Sequence, residues 1–122
     1  MLRANASRLL VYRVASDLST EAVRLAKSFR GPGAFQRGDQ LVRAALSVAS
    51  NIAEACGRGT RTEFSRFLDY AAGSAAELRA QLRVARTLDP GRAGRIRALE
   101  NRATLALKML RRLSQHPPPL ST

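Results

Sequence analysis

The sequence predicts an all-α fold, an up-down-up-down antiparallel four-helix bundle, and three observations carry that expectation. Apolar residues recur at steps of three and four along four separate stretches, the spacing of a single helical stripe. Ala, Leu and Arg dominate, Trp is absent and aromatics are 5%, so the core must come from aliphatic side chains on helices rather than from a β-rich sandwich. The breaks between stripes are short, and short connections between amphipathic helices make neighbours antiparallel. A chain of 122 residues suffices for one core. A single bundle domain is expected over 1–115, followed by a proline-rich tail over 116–122.

The first helix is read from Val11, Ala15, Leu18, Ala22, Leu25 and Phe29. The segment RGPGAFQRGDQ then interrupts it with Gly31, Pro32, Gly33 and Gly38, and Asp39 is the expected N-cap of the second helix. That helix carries Leu41, Ala45, Val48, Ile52 and Ala55 inward, and Gly57 is the expected left-handed terminator. Thr60 and Glu63 form a T-x-x-E capping box for the third helix, whose stripe is Phe64, Leu68, Ala71, Ala75, Leu78, Leu82 and Ala85. Asp89 and Pro90 supply a cap and a first-turn proline for the fourth, with Ile96, Leu99, Ala103, Ala106, Leu110 and Leu113 inward. After Ser114, QHPPPLST cannot continue a helix and is expected to be extended.

The stretch SNIAEACGRGTRTEF is chemically the densest part of the chain. Its GRGT segment reads as a tight helical corner, because a phosphate-cradling loop would follow a strand and end in G-K-[ST], and neither feature is present. Ser47, Asn51 and Glu54 lie on one stripe of the second helix, and Tyr70, Gly73, Ser74 and Glu77 lie on a stripe of the third. These stripes are expected to face each other or a neighbouring subunit, which makes Glu54 and Glu77 candidates for buried or interfacial carboxylates. Two carboxylates on adjacent helices also suggest a glycosidase pair or a ferritin-like metal centre. Neither idea survives: the only histidine, His116, lies in the proline tail, and no nucleophile stands beside a base. The expectation is therefore no enzyme, no metal and no cofactor.

The single cysteine, Cys56, excludes an internal disulfide framework. Arg interrupts the one apolar run near the start, MLRANASRLLVYRVASD, so no signal peptide or membrane span is read there, and a cytoplasmic protein is expected. The formal charge of +12 points to polyanions, with Arg supplying all the cations but Lys27 and Lys108. Between Arg79 and Arg112 ten basic residues stand against Asp89 and Glu100 alone. Arg79, Arg83 and Arg86 recur at helical spacing, and with Arg92, Arg95 and Arg102 from the adjoining segment they are expected to form a basic strip that binds RNA or DNA. A solvated face is the alternative. The strip interleaves no aromatics, so contact with the phosphate backbone is the expected mode.

The run SNIAEACGRGTRTEFSRFLDYAAGSAAEL resembles the four helix bundle proteins related to those encoded by intervening sequences of bacterial 23S ribosomal RNA. The match includes Ser47, Ser50, Asn51, Ile52, Ala53, Glu54, Gly57, Arg58, Glu63, Phe64, Phe67, Leu68, Ala71, Gly73, Ser74, Glu77 and Leu78. Departures are Val48 for the usual Ile, Ala49 for a frequent Pro, Ala55 for Gly, and Cys56 at a position often aromatic. The resemblance implies a ring-forming homo-oligomer, commonly a pentamer, with no enzymatic activity established. With the capping box and the polar stripes read above, structural or interfacial roles are expected for Ser47, Asn51, Glu54, Gly57, Arg58, Thr60, Glu63, Gly73, Ser74 and Glu77. The fold is similar to that of the accessory variability protein of diversity-generating retroelements, a basic ring that binds nucleic acid and a reverse transcriptase. The alternative is a protein–protein scaffold of the same family that does not bind nucleic acid directly.

Overall fold

The computed structural model describes residues 9–118. The four expected helices are present: α1 Leu10–Lys27, α2 Ala34–Cys56, α3 Arg61–Leu88 and α4 Ala93–Gln115. Each helix packs on its sequence neighbour, and α4 closes the bundle against α1 by the thinnest of the four seams. Among the described residues the backbones of the diagonal pairs, α1 with α3 and α2 with α4, stay more than 8 Å apart, Cα to Cα. Long-range hydrogen bonds show the antiparallel order. Ser65 near the start of α3 meets Ser114 near the end of α4, while Arg86 near the end of α3 meets Glu100 in the first half of α4.

The core follows the periodic stripes. Every residue expected inward on α1 to α4 is buried except Phe29 and Leu113, which are half-buried beside the helix ends. Phe64 is the one aromatic fully enclosed, and Ala positions between the leucines let the helices approach closely. Cys56 is buried at the end of α2, and loss of solvation pushes its thiol pKa up. Among the described residues no helix is long and apolar enough to cross a membrane.

The helix ends depart from expectation in four places. Asp39 is not the cap of α2: the helix starts at Ala34, behind Gly31 and Gly33, whose φ values of 83° and 69° reverse the chain within a few residues. Asp39 instead sits on the outside of α2 and pairs with Arg43 at 2.9 Å. Gly38 belongs to the helix, where a Cβ would lie 3.2 Å from the Ala26 Cβ, so its role is to let α1 and α2 touch.

Gly57 caps α2 with φ of −84°, right-handed rather than left-handed, and its N–H donates to the Glu54 carbonyl in a tightened last turn. Thr60 caps α3 as expected, its Oγ1 accepting from the Glu63 N–H at 3.1 Å. The reciprocal half of the box is missing, because the Glu63 carboxylate turns to Arg66 at 2.8 Å. Asp89 offers no side-chain cap and pairs with Arg92, while Pro90–Arg92 form a single 3-10 turn ahead of α4. Of the tail, residues 119–122 lie outside the described residues, as do residues 1–8 at the other end.

Candidate nucleic-acid interface

The arrangement of charge follows from where each helix turns its side chains. α4 buries Ile96, Leu99, Ala103, Ala106, Leu107 and Leu110, and at 100° per residue the arc that runs from beside Glu100 round to the far side carries Arg111, Arg97, Lys108 and Arg112. All four are exposed, and none has a carboxylate within ion-pair distance among the described residues. From Arg97 to Arg112 the helix rises roughly 22 Å. A straight element of that length can meet several consecutive phosphates without bending.

The one carboxylate of α4, Glu100, points inward and is 6% exposed. Its Oε2 accepts from Arg86 Nε at 2.6 Å and its Oε1 from Arg86 Nη2 at 3.3 Å, while Arg83 Nε lies 3.4 Å from Oε1. Hydrogen bonding to Glu100 raises the Arg86 pKa further above its ordinary value, against an opposing desolvation effect. Glu100 therefore spends its one negative charge on two arginines of α3, which keep a net positive charge between them, and leaves the outer face of its own helix uncompensated.

The six residues expected to form one strip do not all lie on one surface. Arg79, Arg83 and Arg86 share the side of α3 that faces α4, and Arg79 has no ion-pair partner among the described residues. Arg95 turns to the other edge of α4, towards α1, with its Nη2 4.0 Å from Glu21. Arg102, seven residues on, shares that edge and is exposed without an ion-pair partner among the described residues. Arg92 is held at the bundle end by Asp89 at 3.1 Å and by the Ser28 carbonyl at 3.2 Å. The cations that sequence reasoning missed are Arg97, Lys108, Arg111 and Arg112. Their signal was their phase on a single arc outside the Ile96–Leu110 stripe, and the signal of Glu100 was its place within that stripe.

The small polar stripes of α2 and α3 do meet. Ser47 Oγ lies 2.9 Å from Ser74 Oγ, and Asn51 Nδ2 donates to the Ser47 carbonyl at 2.9 Å and to its hydroxyl at 3.1 Å. Glu54 and Glu77 are not buried in the monomer. Glu54 pairs with Arg58 one turn on, and Glu77 accepts from Gln81. The Arg58 guanidinium stacks 4.4 Å from the centroid of Phe67, which in turn meets Tyr70 edge-on, so the corner is braced by a side-chain stack. Gly73 is exposed, with no atom near the position of a Cβ. Gly57, Thr60 and Glu63 shape the corner as described above.

A sequence model of the family described as 23S rRNA-intervening sequence protein matches residues 7–112. The fold is similar to a crystal structure from Bacteroides thetaiotaomicron, that of a protein of unknown function from the S23 ribosomal protein family. The TM-score is 0.73 at 21% identity, covering 89% of this chain and 100% of that one. No curated protein matches the chain. The family match spans all four helices and includes the Ser47–Ser74 seam, and the chain belongs to the 23S rRNA-intervening sequence protein family.

Proposed function

We propose that this protein is a cytoplasmic, non-enzymatic nucleic-acid-binding bundle that works as a ring-forming homo-oligomer and grips phosphates through α4. The observation that supports this most is the unpaired cation face of Arg97, Lys108, Arg111 and Arg112, with the only carboxylate of the helix buried beneath it. Uncompensated like charges on a small surface repel one another, and a phosphate backbone relieves that repulsion while releasing its counterions. Arg79 and Arg102 extend the face at its two margins. A ring multiplies the contacts, since each further α4 binds at the effective concentration set by the first. The pentamer and a reverse-transcriptase partner from a diversity-generating retroelement are the specific form that the resemblance suggests for such an assembly.

The test is binding of nuclease-treated protein to a structured RNA and to duplex DNA across a salt series. The expected result is a linear fall of log affinity with log salt and measurable binding at about 0.15 M. The triple variant R97A/K108A/R112A should flatten that slope by roughly one unit per cation removed. An unchanged slope, or no binding of either ligand at about 0.15 M, would overturn the reading. It would favour the scaffold alternative, in which arginines serve protein contacts as Arg83, Arg86 and Arg95 already do within the chain.

A further inference from the structure

A second group of arginines gathers at the end of the bundle where the α1–α2 loop meets the α3–α4 connection. α2 carries Arg37 and Arg43 against Asp39 and Glu54, and its ion pairs are Arg43 with Asp39 and Glu54 with Arg58. Arg37 is therefore left without an ion-pair partner among the described residues. Its Nη2 donates to the Arg30 carbonyl at 2.9 Å and to the Pro32 carbonyl at 3.4 Å, and its guanidinium lies 5.1 Å from the centroid of the Phe29 ring. Arg30 donates to the Phe29 carbonyl at 3.2 Å and also has no ion pair among the described residues. Arg92 reaches the Ser28 carbonyl and pairs with Asp89. A carbonyl holds a guanidinium in place without cancelling its charge, so three positioned arginines stand here against one carboxylate.

These three arginines line a cavity of about 260 Å³ together with Ser28, Leu88 and Asp89. A second cavity of about 170 Å³ adjoins it, and Phe29, Arg37 and Ala85 wall both. The second cavity is apolar along Phe29, Leu41, Val84 and Ala85, with Gln40 and Gln81 supplying amides to its wall. Arg37 Nε and Gln81 Oε1 are buried without a hydrogen-bond partner. The Gln81 amide orientation follows from its Nε2, which donates to Glu77 at 3.2 Å. Buried polar atoms of this kind are rare in finished interiors, and a small turn of either side chain towards a group in the cavity would supply the missing partner.

We propose that the two cavities form one binding site for a pyrimidine nucleotide that carries a terminal phosphate monoester. The phosphate sits among Arg30, Arg37 and Arg92, whose planar forks match its oxygens and whose combined charge suits a dianion. The base enters the apolar cavity beside Phe29 and Val84. An engineered cavity of about 150 Å³ accepts one benzene ring, so the space here suits a single-ring base better than a two-ring purine. The amides of Gln40 and Gln81 are available to the carbonyl and N–H groups on the edge of that ring. Arg37 walls both cavities and so stands where base and phosphate are joined. The arginines also cap carbonyls that follow α1, which accounts for their positions but not for the cavity behind them. The nucleotide is either free or the terminal residue of a strand, since both present the same ring and phosphate. No residue of the Arg97–Arg112 arc lines either cavity, so the site stands independently of the α4 reading.

Calorimetric titration of the full chain compares uridine 5′-monophosphate with uridine, inorganic phosphate and adenosine 5′-monophosphate. The expected result is one site per chain for uridine 5′-monophosphate, with each of the others at least about tenfold weaker. Arg30→Ala should weaken the nucleotide about tenfold and leave uridine unchanged, whereas Val84→Phe, which crowds the ring cavity, should weaken the nucleotide and spare inorganic phosphate. Circular dichroism confirms that both variants keep their helices. Arginines that only cap α1 would shift the melting temperature of R30A with no nucleotide binding to lose. Displacement of the mononucleotide by a short 5′-phosphorylated oligouridylate, but not by its unphosphorylated form, identifies a strand end as the occupant; no displacement by either identifies the free nucleotide. R97A/K108A/R112A should bind uridine 5′-monophosphate as the wild type does, so failure of this site and failure of the α4 reading are told apart. No saturable binding of uridine 5′-monophosphate or of the phosphorylated strand at about 1 mM would overturn the site. Inorganic phosphate binding as tightly as the nucleotide would overturn the base contact, and uridine doing so would overturn the phosphate contact.

Discussion

Glu100 shows how one residue can set both stability and charge. It interrupts an otherwise apolar stripe, and its cost of burial is offset by two guanidinium groups from α3. Replacing it by Ala removes the partner of both and should lower unfolding stability by about 2 kcal/mol, read from urea denaturation. The same change releases Arg83 and Arg86 into the field around α4, so affinity for duplex DNA at low salt should rise while stability falls. A purely structural role would lower stability and leave affinity alone. Glu100 was not recognised in the sequence because a glutamate within a helical stripe is read as a solvated residue. Its phase within the stripe was a local signal, but its buried state also depends on Arg86 arriving from another helix, which periodicity alone does not record.

At the scale of helices, periodicity made the four elements and nearly all of their core faces legible, because an aliphatic stripe at steps of three and four has one stable orientation in a bundle. Ends were less legible. Gly38 looked like part of a loop because glycine serves both turns and close helix contacts, and only the approach of Ala26 distinguishes the two. The basic strip failed for a related reason. Spacing places Arg95 and Arg102 together on α4 but does not say whether that edge faces α3 or α1, and the pairing with Glu21 shows that it faces α1. Thr60 is the end that was read correctly. With the Glu63 carboxylate committed to Arg66, Thr60 alone holds the first-turn amide, and Thr60→Ala should cost about 1 kcal/mol in thermal or chemical unfolding. Glu63→Gln should cost much less, since the backbone N–H of residue 63 is retained.

Over the whole molecule, the placement of a neutral α2 diagonally across from a cationic α4 gives a single chain an electric dipole directed along that diagonal. A polyanion exerts a torque on such a body before contact, turning α4 towards it, so encounters are aligned as well as accelerated. Stopped-flow association with duplex DNA should therefore slow steeply between about 0.05 and 0.15 M salt, as the Debye length contracts to about 8 Å, while dissociation changes less. Closure into the ring proposed above would change the symmetry of this field. Dipole components perpendicular to a rotation axis cancel among copies, and the preferred direction of approach within the ring plane would disappear. Assembly would thus exchange an oriented docking partner for an isotropic spool.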